Sequence, residues 1–287
     1  MNSLANLASW FQEEEREIRC VSAHNTSEFD NVFGKHQPGG TGLLCRHEFL
    51  QYAKKPLIDP QRLGRWCSWP FSCNPSHVTR IVVVYRPCAS KVKGLKTVYQ
   101  QHLRYIQSKG LKSNPVELFD LDLSKQITEW RGAGERIVLV IDLNGHPLHN
   151  NFYNQLKERR TEMEEISHKC WGKKAPYTHH AGSSPIDEAY KSLEIEIVNL
   201  SMLTFAESPR DHRSLCFDIS TRSLLGDSKH KICRPVSRRL ITSQYSSVTR
   251  YNEMIVCQQF EMHRIVERME AVDKMTQYCR YPSPGWL

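Results

Sequence analysis

Arg136-Ile137-Val138-Leu139-Val140-Ile141 empties directly into Asp142-Leu143-Asn144-Gly145. A run this short, apolar and rich in β-branched residues predicts a strand covered on both faces, as in the interior of an α/β sheet. An acid and an amide at its C-terminal tip stand where such sheets usually carry their chemistry. Upstream, Thr79-Arg80-Ile81-Val82-Val83-Val84-Tyr85 predicts a second strand of the same kind, stopped by Pro87. Between the two, Val98, Leu103 and Ile106 fall on one side of a helix within Gly94 to Lys109. Asn114-Pro115 opens another helix through Leu118, Leu121, Ile127 and Trp130, closed by Gly132-Ala133-Gly134. Strands alternating with amphipathic helices predict a layered α/β domain. Further on, Leu215-Cys216-Phe217-Asp218-Ile219 alternates like a half-buried strand, directly after the polar cluster Pro209-Arg210-Asp211-His212-Arg213.

Outside this domain the pattern changes. Ser220 to Pro235 is polar and basic and reads as linker. Beyond it, Val248, Tyr251, Ile255, Met262, Ile265, Met269 and Val272 recur at three- and four-residue steps, predicting a long amphipathic helix that docks on the domain, with self-association through it as the alternative. The expected organisation is a truncated N-terminal part of the domain at 1–36, the domain proper at 37–220, a basic linker at 221–243 and the helix at 244–279.

With 39% hydrophobic and 24% charged side chains over 287 residues, the chain has enough apolar material for a full core, which excludes a disordered or fibrous protein. No apolar stretch reaches the ~18 to 20 residues of a membrane span. The acidic cluster Glu13, Glu14, Glu15 is unlike a secretory leader, so an intracellular protein, nuclear or cytoplasmic, is expected. Its 10 cysteines include no C-x-x-C pair and read as reduced thiols. His179 and His180 are adjacent in a polar turn with no second ligand pair at zinc-finger spacing, which argues against structural zinc. A net charge of +8 favours a polyanionic partner, DNA or another nucleic acid, and no membrane.

Tyr85-Arg86-Pro87, Asp142-Leu143-Asn144, Pro185-Ile186-Asp187 and Asp211-His212 follow one another along the chain, each at or near a strand end. Their order and context resemble the endonuclease/exonuclease/phosphatase superfamily across Gln37 to Ile219. More narrowly, Gln37-Pro38-Gly39-Gly40-Thr41-Gly42, Leu63-Gly64-Arg65-Trp66, Val98-Tyr99-Gln100-Gln101 and Gly182-Ser183-Ser184-Pro185-Ile186-Asp187 resemble its retrotransposon-type endonuclease domains. The resemblance implies a four-layer α/β sandwich, two β-sheets face to face and flanked by helices, here incomplete at the N-terminus. It implies that Asp142 orients or deprotonates the attacking water and that Asn144 holds that water or a phosphate oxygen. His212 would bind the phosphate, oriented by Asp187; Tyr85 would donate to a phosphate oxygen; and Asp211 would help hold Mg²⁺ or Mn²⁺. Arg65, Arg86 and Arg213 are the candidate backbone-phosphate contacts. The oxygen-rich donor set suits a hard cation that neutralises charge on a phosphodiester under attack.

The chain departs from the family's pattern at one consequential place. Where the resemblance implies a metal-binding glutamate on an early strand, this sequence has Leu4, followed by Ala5-Asn6-Leu7 and Trp10. Glu13 to Glu15 lie in a solvated helical stretch and do not replace it. Milder departures are Gly145, Glu188-Ala189 and Arg210. Loss of a direct carboxylate ligand weakens cation binding and the electrostatic help it gives. The expectation is therefore a metal-dependent phosphodiesterase, a retroelement-derived DNA endonuclease with reduced or lost activity. The alternatives are an inactive nucleic-acid-binding remnant and a phosphatase of small phosphoesters.

Overall fold

The computed structural model describes residues 18–26, 39–92, 94, 96–172, 175–208, 210–226 and 245–256. The chain divides into two compact units, residues 1–229 and 230–287. The first is built on a six-stranded mixed sheet in the order β3-β4-β5-β6-β8-β7. These strands are β3 (Leu57–Ile58), β4 (Trp66–Asn74), β5 (His77–Tyr85), β6 (Arg136–Asp142), β7 (Met163–Glu165) and β8 (Asp187–Ser192). β5 and β6 run parallel, and β4, β8 and β7 are added antiparallel. The parallel pair needs a crossover, supplied by α1 (Val98–Ser108) and α2 (Pro115–Gly132).

The second helix starts where Asn114-Pro115 predicts. The Asn114 side chain accepts from the backbone N–H groups of Val116 and Glu117, and Glu117 closes a capping box. Its buried stripe is Phe119, Leu123, Ile127 and Trp130, whereas the expected Leu121 lies exposed on the other side. With α3 (Asn151–Glu158), this stripe covers one face of the sheet, closing a core on Val82, Val84, Ile137, Leu139, Ile141 and Tyr190.

The opposite face is covered differently. A ribbon of β1 (Ile18–Ala23) and β2 (Thr41–Arg46) packs Val21, Ala23, Leu43 and Cys45 onto Cys67, Trp69 and Phe71 of β4. A helix, numbered α5 below, adds Leu224 and Leu225 to the same cluster. Ile81 and Val83 are only half-buried there, so β5 is fully covered on the helix side alone, while Val138 and Leu139 are buried on opposite faces of β6. β9 (Ile197–Met202) and β10 (Leu215–Ile219) form a separate antiparallel ribbon. The expected mixed α/β layering is present. In place of a second full sheet, the described residues show these two two-stranded ribbons.

One further expectation changes, and another is described only in part. The start of the predicted linker is structured: between the short α4 (Ser167–Trp171) and the C-terminus lies α5 (Thr221–Leu225), whose two leucines pack on the sheet. Five residues are too few to show a helical period in a polar stretch, which is why the sequence conceals it. Of the long C-terminal helix, α6 (Tyr245–Ile255) is described; the remainder of 244–279, and with it the alternative of self-association, lies outside the described residues. Among the described residues no helix is long and apolar enough to cross a membrane.

Arg65 is the clearest reversal. It is 2% exposed, with Nε and one terminal nitrogen on the two Asp59 oxygens at 2.8 and 2.9 Å and the other on Asp122 at 3.0 Å. Burial pushes the Asp59 carboxyl up, and the Arg65 guanidinium outweighs it, holding Asp59 below its ordinary range. The pair ties the β3–β4 loop to α2, so Arg65 is a fold-holding group and not a phosphate contact. Gly64, at φ +73°, belongs to the same joint: a Cβ there would lie 2.7 Å from the His24 backbone. Removing one member of a buried pair strands the other, at a cost of about 3–5 kcal/mol. Arg65→Met should lose about that much in urea unfolding, and Arg65→Met/Asp59→Leu should regain part of it; full stability of the single variant would contradict the assignment.

Candidate active site

Three strands place three of the expected residues side by side. In the parallel β5–β6 ladder Tyr85 stands opposite Asp142, and in the antiparallel β6–β8 ladder Asp142 stands opposite Asp187. Residues opposite one another on neighbouring strands share a face, with strands ~4.7–4.9 Å apart. Tyr85, Asp142 and Asp187 thus form one row at the sheet's end, on the face away from α2 and α3.

Backbone bonds beyond the strand ends hold the row. Arg86 N–H donates to the Asp142 carbonyl at 2.9 Å and Leu143 N–H to the Ile186 carbonyl at 2.8 Å. The buried Thr178 hydroxyl accepts from both Ile186 N–H, at 2.9 Å, and Asp187 N–H, at 3.0 Å. Thr178 carries no sequence signal, because its value lies in contacts made across a loop.

Asn144 joins the row through a turn. Its N–H donates to an Asp142 carboxylate oxygen at 3.2 Å, its amide nitrogen donates to the Arg86 carbonyl at 2.7 Å, and its side chain lies within hydrogen-bonding reach of the Tyr85 hydroxyl. Its φ of +50° is left-handed, a conformation asparagine tolerates better than most residues.

His212 is brought in from the loop before β10. Its Nδ1 lies 2.8 Å from an Asp187 oxygen, which leaves Nε2 facing away from that carboxylate. An isolated bridge between His179 and His212, flanked by His180 N–H to the Asp211 carbonyl and Arg213 N–H to the Thr178 carbonyl, both 2.8 Å, zips this loop to the one preceding β8. Asp142, Asp187 and His212 each offer a ligand atom, all within 4.8 Å of one another.

The electrostatics follow from this crowding. Burial, and then the neighbouring Asp187 charge, push the Asp142 carboxyl up to about 6, although His212 and the Asn144 N–H pull the other way. Burial pushes His212 down, but the Asp187 hydrogen bond and charge, with Asp142 and Asp211 behind them, outweigh it and leave the imidazole above its ordinary value. Burial raises Tyr85, and the Asp142 charge adds to this, so its hydroxyl stays protonated and able to donate.

The remaining sequence-predicted residues fare differently. Asp211, expected to hold metal, lies outside the converged group: its carboxylate is 66% exposed and 3.6 Å from His179 Nε2. Arg86 is committed elsewhere, gripping both Asp120 oxygens at 2.7 and 2.9 Å and the Leu143 carbonyl at 3.3 Å, so it braces the β6 tip and is not free for substrate. Arg213 anchors Nε on the Leu203 carbonyl at 2.7 Å and stays half-exposed beside His212. The sequence reading missed His179, whose ring lies 4.8 Å from that of His212; its position next to His180 in a polar turn gave only a zinc question. Gly39 lies where a Cβ would come within 2.6 Å of Val98, so close packing asks for glycine there. Leu4 and its neighbours lie outside the described residues. A separate cavity of about 320 Å³, lined in part by Glu164, Lys169, Lys191 and Val198, reaches β8 four residues beyond Asp187 and takes no part in the row.

No family model and no curated protein matches the sequence. Solved structures do match the fold. One is the human Nocturnin catalytic domain with bound sulfate anion, at 12% identity over 76% of this chain and 78% of that one, TM-score 0.51. Another is the 3′ phosphatase NExo from Neisseria bound to product DNA hairpin, at 14% identity over 74% and 82%, TM-score 0.51. A third is the 3′-5′ exonuclease NExo from Neisseria meningitidis, at 13% identity over 74% and 83%, TM-score 0.50. At these identities the likeness is one of fold alone, the mixed α/β architecture described above.

A carboxyl raised from 3.8 to about 6 contributes full stability below its unfolded value and loses it as pH rises through about 6. The loss is on the order of 2–3 kcal/mol by pH 8. In EDTA, Asp142→Asn should therefore be more stable than wild type at pH 8 and nearly equal to it at pH 4, measured by urea unfolding. Equal gains at both pH values would contradict the cause assigned to the shift.

Proposed function

We propose that this protein hydrolyses phosphodiester bonds in nucleic acid with the help of a divalent cation, and that it is a retroelement-derived endonuclease of reduced turnover. The observation that carries the reading is the convergence of Asp142, Asp187 and His212 within 4.8 Å, with Tyr85 completing the row. Two adjacent carboxylates, one of them pushed up by burial and then by the other's charge, form a donor set that a hard cation fits. Asp142 and Asp187 would hold it, and when bound it would supply positive charge to the phosphate and the departing oxygen.

The chain's own groups have definite tasks in this reading. Asp142, ionised at neutral pH, orients the attacking water and accepts its proton. Asp187 fixes the His212 ring through Nδ1, so that Nε2 donates to a phosphate oxygen as negative charge builds up. The Tyr85 hydroxyl donates to a second oxygen, and the Asn144 amide, bonded to the Arg86 carbonyl and within reach of that hydroxyl, orients it. Arg213 is the remaining candidate for a backbone-phosphate contact. A net charge of +8 favours a polyanion over a small phosphoester. Leu4, in place of the glutamate implied by the family resemblance, is the reason for expecting slow turnover.

Nicking of supercoiled plasmid in Mg²⁺ tests the proposal. Wild type should nick slowly, and Asp142→Ala and His212→Ala should each fall by at least about 10²-fold. If all three are equally silent while wild type still binds DNA in a salt-dependent way, the protein is a binding module. Hydrolysis of a phosphorylated sugar with none of DNA would make it a phosphatase.

Cation placement has its own readout in thermal unfolding with and without Mn²⁺. Asp187→Asn should abolish the cation-induced rise in Tm, whereas Asp211→Asn should keep most of it. The reverse result would restore the metal role to Asp211.

A further inference from the structure

Next to the row, on the same two zipped loops, lies an aromatic cluster that the hydrolytic chemistry does not use. Phe205 is its hub. Tyr177 stacks on it with ring centroids 5.5 Å apart and planes 30° apart, His180 meets it edge-on at 5.5 Å, and the Arg213 guanidinium lies 5.6 Å from its centroid. Tyr177 is 44% exposed and His180 is exposed, so the cluster stays open to solvent although aromatic groups gain by burial. It is also held in place. The loop carrying Phe205 is closed by Thr204, whose N–H and hydroxyl both donate to Glu207 at 3.0 and 2.8 Å, and Arg213 is pinned through its bond to the Leu203 carbonyl.

Its position matters as much as its composition. Tyr177 is one residue from Thr178, which fixes the start of β8, and Arg213 is one residue from His212. Both therefore lie within ~4 Å of backbone from a site residue. An open, prearranged aromatic face with a cation beside a phosphate-cleaving centre suits a ligand with a flat π-surface on a phosphate backbone.

We infer that Tyr177, Phe205, His180 and Arg213 form a stacking subsite for an unpaired base, so that the substrate is single-stranded or locally opened nucleic acid. The inference rests on the phosphodiesterase reading and narrows its substrate class. A base inside a duplex has both faces covered by its neighbours, so only an unpaired or extruded one can lie on Tyr177. A phosphorylated sugar has no such face. Stacking is indifferent to base identity, so the subsite selects for strand opening and not for sequence.

The test is equilibrium binding of the full chain, in EDTA, to a fluorescein-labelled single-stranded oligodeoxynucleotide, followed by anisotropy. The comparisons are the same sequence as a duplex and an oligomer of abasic units of equal length. Wild type should prefer the base-bearing single strand to both. Tyr177→Ala should weaken binding to it about tenfold, within the ~5- to 150-fold that one base–aromatic stack supplies, change binding to the abasic oligomer less than about twofold, and leave Tyr177→Trp close to wild type. Equal affinity of wild type for base-bearing and abasic strands, or an equal loss on both in Tyr177→Ala, would overturn the inference. Because EDTA prevents turnover, binding is read independently of whether plasmid is ever nicked, and failure of one assay does not imitate failure of the other. The wild-type preference alone decides the matter should Tyr177→Ala fail to fold.

Discussion

Everything proposed for this protein hangs on strand register. β6 is paired parallel to β5 on one side and antiparallel to β8 on the other, and both ladders run to the row of Tyr85, Asp142 and Asp187. Side chains alternate between faces, so a slip of one residue in β8 would turn Asp187 toward the helices and offer Glu188 in its place. What prevents the slip is the buried alternation itself, Tyr190 seated in the helix-side core and Ala189 on the other side, together with Thr178 clamping the first residue of the strand. The cost of that alignment is local: two carboxylates face each other, offset among the described residues by the imidazoles of His212 and, behind it, His179.

The fold's centre was legible because its signals are local. β5 and β6 are short β-branched runs, and Asn114-Pro115 is a helix start with a mechanism, so strand, crossover and strand follow from a few residues each. The order of the polar motifs made the site legible as well, and Tyr85, Asp142, Asn144, Asp187 and His212 do assemble. The second layer was less legible. Its ribbons are short, and α5 hides in a polar stretch where two leucines are the only clue. Nothing in a single strand says how completely its far side will be covered, and β5 shows the difference between a valine facing helices and one facing a partial layer.

The arginines show where local reading ends. Arg65, Arg86 and Arg213 look alike in the sequence, each beside a motif. Two of them turn inward because carboxylates meet them there: Arg65 finds Asp59 in its own loop and Asp122 on α2, and Arg86 finds Asp120 on α2. An aspartate on a helix reads as surface until the strand it meets is known. Desolvating a guanidinium is tolerable only with such a fork of acceptors, and this is how a basic chain holds part of its positive charge inside the fold, out of reach of any polyanion. The outward field must come from the others, which makes the half-exposed Arg213 more consequential than its two counterparts.

Asn144 carries a consequence for anyone tracing how such a site arises or decays. The position asks for a left-handed backbone and for an amide at once, and only a short list of side chains meets the first demand cheaply. Replacement by most residues would disturb the loop's course as well as its chemistry. Glycine, and at some cost aspartate, would separate the two, keeping the bend while deleting the amide.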